Sequence, residues 1–427
     1  MNRPRSTHVF SKTEKNYYSY LSFLASVFIG LALIFDSPNQ LYQGFQRILF
    51  STGQLFTDYI ELASMGATLF NVGTMMLLSI LLLYRFKMPI NGAVIASLGT
   101  VAGFSFFGKN LFNSIPITVG VMLYAHLSRQ HFRNYIIVSL FGSALGPLVS
   151  FIAFGMGYPL WVSVPASILV GITIGFVFPP LATQFLGFHQ GYSLYNVGFT
   201  AGIIGMVFTA MINMMGFEVE RTVLLYTGSY QTFLICLLLA IILFIFLTGA
   251  YMTTKQSNQL FSIFSNSGRL PSDFVEMTNM ASVCLNVGLL GLIFTAYVMV
   301  FGHGLNGPLI GGIISVMSFG AFGKHAKNII PVLIGVTLAA HMNLNQPAST
   351  SVLIAALFGT TLAPISGYYG PLAGFVAGFI HMSMVSHVAY LHGGLNLYNN
   401  GFSGGFVAAA LVPVLDAVRK IIPGKKK

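Results

Sequence analysis

Two copies of a glycine-rich signature carry the polar residues best suited to recognise a solute. The first, HQGYSLYNVGFTAG, occupies His189–Gly202, and the second, HGGLNLYNNGFSGG, occupies His392–Gly405. Each contains a Tyr-Asn pair where a glycine-rich turn enters an apolar segment. An Asn amide carries two donors and two acceptors, so it can replace the water around a polar neutral solute. The same residues can instead cap a helix or anchor at the membrane interface. The candidate solute-binding residues here are Tyr195, Asn196, Tyr398 and Asn399.

Four further asparagines recur at matching positions of the two halves of the chain. Polar side chains at membrane depth are costly unless they pair with one another or line a cavity. We therefore treat this set as additional candidates for the same solute path. Its members are Asn71, Asn91, Asn286 and Asn306.

Four of the nine acidic residues form two Asp-x-x-Glu pairs, Asp58 with Glu61 and Asp273 with Glu276. The i, i+3 spacing puts both carboxylates of a pair on one helical face. Such pairs can bind a cation or carry protons, with shifted pKa values if they are buried. They can equally be solvated at a helix start, where negative charge suits the helix dipole. These pairs are the candidates for ion or proton coupling.

A Phe-Gly-Lys motif occurs once in each half, ending at Lys109 and at Lys324. If the flanking segments in 90–127 and 305–342 cross the membrane, each lysine is a cation in a short interfacial loop. If they re-enter as a hairpin, each lysine lies at a tip inside the protein, where it could meet an anionic substrate. Both alternatives remain open at this point.

Other reactive residue types form no familiar site. No histidine pair has the His-Glu-x-x-His pattern of a metal site, and the two cysteines lie inside apolar runs. No Walker A motif or kinase pattern is present, so an ATP-driven pump would need a separate subunit. The sequence predicts neither a bound metal nor a cofactor.

Composition indicates the class of protein that must position these residues. Hydrophobic residues make up 55% of the 427 residues and charged residues 7%, with a mean hydropathy of +0.79. A soluble domain carries about 25% charged residues. Apolar windows of about 20 residues recur along the whole chain, and each is long enough to cross a bilayer. We predict an all-α, multi-pass membrane protein whose partner is the lipid bilayer.

The net charge of +11 does not indicate nucleic-acid binding. The lysines and arginines lie in short loops and tails between apolar segments, as the positive-inside rule expects. With the N-terminus inside, only Arg47, Lys109 and Arg221 of the 20 lysines and arginines face outward, which leaves 17 (20 − 3) facing the cytoplasm. We therefore expect a cell-membrane protein with both termini cytoplasmic and no nucleic-acid partner.

An internal duplication organises the chain. Residues 53–126 and 268–341 agree without a gap at an offset of 215 (268 − 53), and the glycine-rich signatures agree at 203 (392 − 189). Agreement over more than 70 residues predicts two homologous halves. About seven membrane segments are expected per half, or five crossings if each lysine lies on a re-entrant hairpin. Either number is odd, so the second half is expected to be inverted relative to the first.

The expected domain boundaries follow from this duplication. They are a cytoplasmic N-terminal tail (1–16), a first transmembrane repeat (17–216), an inter-repeat loop (217–230), a second transmembrane repeat (231–415) and a basic cytoplasmic tail (416–427).

The duplicated unit, with paired Phe-Gly-Lys and Leu-Tyr-Asn-x-Gly-Phe motifs over nearly the whole chain, resembles the uncharacterised bacterial membrane family DUF1576. That resemblance implies a multi-pass bacterial membrane protein and no established activity. The stretch Gly-x-x-Leu-Tyr-Asn-x-Gly-Phe is also similar to the Gly-Leu-Tyr-Gly-Tyr-Asn segment of urea transporters, which have two inverted halves. Their Leu-Pro-x-x-Thr-x-Pro-Phe signature is missing here. Their urea-selecting residues are therefore not carried over.

We expect a secondary transporter or channel-like facilitator for a small polar solute, with the path between the two inverted repeats. Duplication with inversion provides two interchangeable gates. The alternative is an intramembrane enzyme acting on a lipid-linked or membrane substrate, for which His381 and His387 are the best residues because neither has a counterpart in the first half. A membrane scaffold fits less well because the loops are short. The sequence predicts neither the identity of the solute nor whether the protein forms a homo-oligomer.

Overall fold

The computed structural model describes residues 10–220, 222–342 and 348–421, and these form an almost entirely helical chain. The helices of the first half are α1 (Lys12–Phe35), α2 (Pro38–Leu49), α3 (Tyr59–Leu62), α4 (Met65–Arg85), α5 (Gly92–Phe104), α6 (Leu111–Leu127), α7 (Ile136–Gly142), α8 (Gly146–Phe154), α9 (Leu160–Phe188) and α10 (Asn196–Met214). Those of the second half are α11 (Gln231–Met252), α12 (Leu260–Ser265), α13 (Phe274–Met277), α14 (Met280–Phe301), α15 (Gly307–Ser318), α16 (Ala326–Met342), α17 (Thr350–Gly359), α18 (Ala363–Tyr369), α19 (Pro371–His392) and α20 (Asn399–Ile421). Two short strands, β1 (Phe56–Thr57) and β2 (Val223–Leu224), pair in parallel.

Ten helices in the described residues are long and apolar enough to cross a membrane, five in each half. In this count α7 with α8, and α17 with α18, each make one crossing. The chain is therefore a multi-pass membrane protein, as its composition predicts. The expected seven segments per half resolve into five helices of spanning length and two shorter apolar ones, α5 with α6 and α15 with α16. The 13 residues of α5 extend about 20 Å, against a hydrocarbon core of about 30 Å.

The ends of the chain differ slightly from the expected boundaries. The first helix begins at Lys12 instead of residue 17, because the Ser11 hydroxyl accepts from the Glu14 N–H and the Glu14 carboxylate accepts from the Ser11 N–H. The last helix runs to Ile421, past the expected boundary at 415. Residues 1–9 and 422–427, together with Arg221, lie outside the described residues, so the tails cannot be compared further there.

Equivalent side chains begin equivalent helices in the two halves. Asn91 accepts from the Val94 N–H at the start of α5, and Asn306 accepts from the Leu309 N–H at the start of α15. Ser64 and Asn279, 215 residues apart, cap α4 and α14 in the same way. The duplicated sequence therefore repeats its helix-start signals along with its apolar segments.

The two halves meet at α5 and α15, which cross in antiparallel directions. A Cβ at Gly103 would lie 2.1 Å from the carbonyl oxygen of Gly311, so the backbones touch there without side chains between them. At one end of the pair, Gly92 lies against the backbone of Ala321. The equivalent helices α5 and α15 therefore pack antiparallel where the two halves meet.

The leading helices of the two halves repeat this relationship. The ring of Tyr20, near the start of α1, stacks on Phe244 in the second half of α11, with centroids 5.1 Å apart. Phe35, at the end of α1, packs on Phe233 at the start of α11, at 4.6 Å. Thus α1 and α11 also run antiparallel.

Each glycine-rich signature docks on the opposite half of the chain. The Leu194 N–H donates to the carbonyl of Thr361 (3.0 Å), and the Leu397 N–H donates to the carbonyl of Ala144 (3.1 Å). Likewise Leu270 N–H bonds to the carbonyl of Gly191, and Leu55 N–H to the carbonyl of Gly394. The residues of the first signature are consequently positioned by the second half, and those of the second signature by the first.

Candidate functional site

Two buried tyrosines meet where the halves join. Tyr195 and Tyr398 lie in the turns that directly precede α10 and α20, and their ring centroids lie 5.3 Å apart. Phe319 packs edge-on against Tyr195 at 4.6 Å, and its counterpart Phe104 packs against Tyr398 at 4.9 Å. A second equivalent pair completes the cluster, with Phe358 5.8 Å from Tyr195 and Phe141 6.4 Å from Tyr398. We call these six residues the aromatic cluster.

Both lysines of the Phe-Gly-Lys motifs are buried beside this cluster. Lys109 is 2% exposed and Lys324 is 0% exposed, which fits the hairpin-tip alternative and not a cation in an interfacial loop. The turns that carry them need glycine, because Gly108 (φ +75°) and Gly323 (φ +107°) adopt left-handed conformations. A side chain at Gly108 would also meet Leu397 of the opposite half.

The candidates Asn71 and Asn286 hold these lysine turns in place. The Asn71 amide donates to the carbonyls of Ser105 (2.8 Å) and Lys109 (2.9 Å). The Asn286 amide donates to the equivalent carbonyls of Gly320 and Lys324, both at 2.8 Å. In each case the Oδ1 atom is buried without a hydrogen-bond partner in the described structure. The contacts of the two amides are structural and alike in the two halves.

The ammonium groups of the two lysines share one equivalent partner and differ in the other. Lys324 Nζ donates to Thr360 Oγ1 (2.8 Å) and to the Tyr195 hydroxyl (2.5 Å), and lies 4.6 Å from the Tyr195 ring centroid. Lys109 Nζ donates to Ser143 Oγ, the counterpart of Thr360, and to the carbonyl of Leu140 (3.2 Å). Within the described residues, all of these partners are hydroxyl or carbonyl oxygens and none is a carboxylate.

The hydroxyl groups of the two equivalent tyrosines also have different hydrogen-bond partners. Its hydroxyl donates to Thr100 Oγ1 at 3.3 Å, whereas the equivalent Tyr195 hydroxyl accepts from Lys324. Two equivalent constellations therefore exist in two arrangements, one with the tyrosine and lysine joined and one with them bonded to other groups.

A cavity of about 280 Å³ reaches the aromatic cluster from one side. We call it the tyrosine cavity. It is mainly apolar, with Asn196 and the two tyrosines as its polar components. Its wall consists of Ala93, Ile137, Phe141, Leu186, Leu194, Tyr195, Asn196, Val197, Gly198, Leu270, Pro271, Phe319, Phe322 and Tyr398.

A second cavity of about 280 Å³, the Asn399 cavity, occupies the equivalent place in the other half. Its Leu55 and Asn399 correspond to Leu270 and Asn196 of the tyrosine cavity. Neither tyrosine is part of its wall, which contains several polar residues. The wall consists of Gln54, Leu55, Phe56, Thr222, Val223, Leu225, Ser349, Thr350, Ser351, Gly394 and Asn399. Of these two related cavities, one is therefore lined by the paired tyrosines and the other is not. A larger groove of about 370 Å³ beside Tyr17 and Tyr20 lies on α1, outside this constellation.

The paired asparagines of the signatures do not meet. The Asn196 amide is engaged on both sides, with Oδ1 3.0 Å from His189 Nε2 and Nδ2 donating to the carbonyl of Ala182 (2.9 Å). Asn399 is buried, and neither its Nδ2 nor its Oδ1 has a hydrogen-bond partner in the described part of the chain. The structure thus unites the tyrosines and separates the asparagines into two cavities.

The coupling candidates Asp58 and Asp273 cap helices of the opposite half. Asp58 accepts from the Gly307 N–H (2.7 Å) at the start of α15, and Asp273 accepts from the Gly92 N–H (2.8 Å) at the start of α5. Burial raises the pKa of the Asp58 carboxyl more than the backbone donors, Gly307 first among them, lower it. The resulting pKa is about 6. Each carboxylate stabilises the positive end of a helix dipole, and it also fastens one half to the other.

The remaining members of the predicted sets lie away from the aromatic cluster. Glu61 and Glu276 are exposed on the short helices α3 and α13. Asn91 and Asn306 cap α5 and α15 as described, and Asn306 Nδ2 also donates to Thr350 Oγ1 (2.8 Å). The structure assigns each asparagine cap a local structural contact.

The residues considered for an enzyme do not converge. On α19, His381 is buried with Nε2 3.2 Å from Asn400 Oδ1, whereas His387 is exposed. Gly401–Gly405 fits the Gly-x-Ser-x-Gly pattern of hydrolases, but Ser403 lies inside α20 and its buried Oγ has no hydrogen-bond partner among the described residues. That pattern requires the serine on a strand-to-helix turn. Nor do the described residues contain a group of three or more His, Cys, Asp or Glu side chains placed to hold a metal.

Sequence reasoning missed the four phenylalanines of the aromatic cluster and the hydroxyl partners of the lysines. A signal was available for them. Phe104 and Phe319 differ by 215 residues, and Ser143 and Thr360 by 217, so each recurs at the offset of its repeat segment. Apolar and small hydroxyl residues are common in membrane helices, and their recurrence alone did not single them out.

Comparisons with known proteins identify a family but no characterised relative. The model of the family described as "Protein of unknown function (DUF1576)" matches residues 37–214 and 252–417. No curated protein and no solved structure matches the chain. The two matched segments cover most of the two halves, and these comparisons do not show the likeness to urea transporters.

Proposed function

The chain belongs to the DUF1576 family of proteins of unknown function, and from that premise we propose that it is a secondary transporter or channel-like facilitator for a small polar solute. Its path runs between the two repeats. The observation that carries the proposal is the unequal access of two equivalent cavities to the buried tyrosines. One is lined by the Tyr195–Tyr398 pair, and neither tyrosine is part of the wall of the other.

The repeats are inverted in the membrane in this proposal. Antiparallel packing of the equivalent helices α5 and α15 supports it, as does an odd number of five spanning helices in each half. With most lysines and arginines inside, both termini lie in the cytoplasm of a cell-membrane protein. Inverted repeats of this kind carry solute sites at the interface of the repeats.

In this orientation the two cavities open on opposite sides of the membrane. The tyrosine cavity includes Leu186 near the end of α9 and Leu270 after α11, which places its mouth at the cytoplasmic side. The Asn399 cavity includes Thr222 and Leu225 after α10, which places its mouth at the outer side. The aromatic cluster is then reached from the cytoplasm and closed from outside.

In this proposal an approximate two-fold rotation relates the two halves, and it defines an alternative arrangement of the site. In it, Lys109 joins Tyr398 as Lys324 now joins Tyr195, and the Asn399 cavity deepens while the tyrosine cavity closes. Exchange between two such arrangements carries a solute across without an open channel. Both halves already contain the residues that this exchange requires.

Accessibility of matched cysteines tests the topology. Cys236 and Cys284 are first replaced by alanine, and cysteine is then introduced at Leu270 or at its counterpart Leu55. We expect a membrane-impermeant thiol reagent to label Leu270→Cys only from the cytoplasmic side and Leu55→Cys only from the outer side. Labelling of both from one side would contradict inverted repeats.

Flux measurements test the activity itself. The protein is reconstituted in liposomes and screened with radiolabelled urea, small amides, amino acids and organic anions. For the solute that moves, we expect Tyr195→Phe to slow flux at least tenfold. The matched control is Tyr297→Phe, which removes a hydroxyl that bonds to Thr337 away from the cluster and should leave flux unchanged. Folded protein that moves none of these solutes, or equal loss in both variants, would refute the proposal.

A further inference from the structure

We infer that the solute is a small organic anion, with its acid group at Tyr195, whose hydroxyl Lys324 contacts from behind the cavity wall, and its apolar part against the phenylalanines of the tyrosine cavity. This inference rests on the proposed transport function, because it names the class of solute that the same site accepts. Three features support it: a buried lysine directly behind Tyr195 of the wall, positive charge beside the mouth of the cavity, and an apolar wall.

The buried lysine has no carboxylate partner among the described residues. Lys324 is fully buried, and its two hydrogen-bond partners, Tyr195 and Thr360, are neutral hydroxyls. A buried charge is costly unless it is paired, and an ionisable side chain at membrane depth normally has a partner that explains it. An anion entering the cavity provides that partner.

Tyr195 connects the lysine to the cavity. The Tyr195 hydroxyl lies 2.5 Å from Lys324 Nζ, and the tyrosine is part of the cavity wall. Because the oxygen accepts from the ammonium group, the tyrosine retains its own O–H proton to donate. Phe319, which also lines the cavity, has its ring centroid 5.3 Å from Nζ. An acid group at the end of the cavity therefore meets an O–H donor backed directly by a cation.

Positive charge lies beside the mouth of this cavity. Arg269 directly precedes Leu270 of the wall, and its guanidinium lies 4.2 Å from the ring centroid of Tyr192. Arg419 stacks on Tyr368 in the same group of aromatic rings, at 5.4 Å. The group also contains one carboxylate, Asp416, which accepts from the Tyr369 hydroxyl (2.7 Å).

The position equivalent to Arg269 is neutral in the other half. It is occupied by Gln54 (269 − 54 = 215), which lines the Asn399 cavity. Fixed positive charge beside a low-dielectric cleft raises the local concentration of anions. Arg269 therefore favours anions at the mouth of the tyrosine cavity.

The wall and the size of the cavity limit the anion. Side chains such as Ile137, Leu186 and Phe322 line most of the surface and favour a solute with an apolar part over a fully hydrated inorganic ion. The volume of about 280 Å³ lies just below the roughly 300–1,000 Å³ of pockets for drug-sized ligands. The solute must be small.

A neutral amide is less suited to the same cavity. Its recognition requires both donors and acceptors, and Asn196 is the amide side chain of the wall. Both amide atoms of Asn196 are already engaged by His189 and Ala182. The groups left to meet a solute are the Tyr195 hydroxyl and the ammonium behind it, which favour negative charge.

Equilibrium binding of radiolabelled benzoate to the purified full-length protein tests the inference, with benzamide as the neutral compound of the same shape and chloride as an inorganic anion. We expect saturable benzoate binding that is at least tenfold tighter than binding of benzamide or chloride. Lys324→Gln should weaken it at least tenfold. Lys327→Gln, which changes an exposed lysine three residues away, should leave it unchanged. Arg269→Gln should weaken it several-fold, and less so at high salt.

Melting curves of each variant show whether it folds, and Tyr195→Phe provides a variant that keeps the lysine. It should weaken benzoate binding several-fold. Benzamide bound as tightly as benzoate, or benzoate binding unchanged in folded Lys324→Gln, would overturn the anion class, and chloride bound as tightly as benzoate would overturn its organic part. Absence of benzoate binding to folded wild-type protein would also overturn it.

The flux experiment and the binding experiment can fail independently, so each tests a different proposal. If a neutral solute moves through reconstituted protein while benzoate does not bind, transport stands and the anion is refuted. If benzoate binds through Lys324 but no solute moves, the anion site stands and transport is refuted.

Discussion

The two Phe-Gly-Lys turns have the same motif, the same supporting amide and an equivalent hydroxyl bonded to the lysine, Thr360 or Ser143, yet the second partner of each lysine differs. Lys324 reaches across to Tyr195, which belongs to the other half, whereas Lys109 bonds to the carbonyl of Leu140 in its own half. The turns are positioned alike by Asn286 and Asn71. The backbone thus follows the repeat, and the side chains depart from it at the place where only one of the two cavities is lined by the tyrosines. That difference is what two exchangeable arrangements of one site would produce.

The largest expected effect is at the crossing on which both halves depend. Gly103→Leu would place a side chain where a Cβ already lies 2.1 Å from the Gly311 carbonyl. Overpacking typically costs about 1–3 kcal/mol and occasionally more, and we expect a loss of at least about 3 kcal/mol because the obstacle is backbone. Thermal melting of the detergent-solubilised protein measures it. Gly187→Leu is the control, since no other atom lies within 4 Å of a Cβ there; equal losses would contradict this crossing.

The next effect tests whether the two turns are equivalent. Asn71→Ala and Asn286→Ala each remove two hydrogen bonds to buried carbonyls. Leaving buried groups unpaired costs about 1–3 kcal/mol, so we expect about 2 kcal/mol for each variant. Denaturant unfolding in detergent compares them. A difference of more than about 1 kcal/mol between the two would show that the turns are not equivalent.

A smaller and unequal pair of effects is expected at the tyrosines. Tyr195→Phe removes a hydrogen bond to an ammonium group, of a kind that contributes about 1.5–3 kcal/mol. Tyr398→Phe removes a longer bond to Thr100, of a kind that contributes about 0.5–1.5 kcal/mol. The same unfolding measurement should rank Tyr195→Phe as the more destabilising. The reverse order would contradict the assignment of Lys324 to the joined arrangement.

The smallest effect is expected at the exposed acids. Glu61→Gln and Glu276→Gln alter side chains that lie on the surface, away from the aromatic cluster. Surface substitutions usually change stability by less than about 0.5 kcal/mol, and we expect solute flux within about twofold of wild type. Loss of pH-gradient-driven flux in either variant would identify these residues as coupling groups.

Several features of the site were predictable because they depend on local pattern. Paired Tyr-Asn signatures, paired Phe-Gly-Lys turns and the Asp-x-x-Glu pairs repeat at constant offsets, so their equivalence needs no coordinates. Comparison of the two halves did not single out Arg269, because this position differs between them. Its counterpart is Gln54, and a search for what the halves share passes over a residue in which they differ.

By itself, the sequence determined that the protein is a helical membrane protein, and it predicted two homologous halves, because apolar length and repeat offset are properties of the chain. Only the tertiary structure decided which half each signature contacts. Tyr195 meets Lys324, and Asp58 caps α15, because the halves interlock through contacts between residues far apart in the chain. A repeat offset states which residues are equivalent, and packing in three dimensions determines which of them touch.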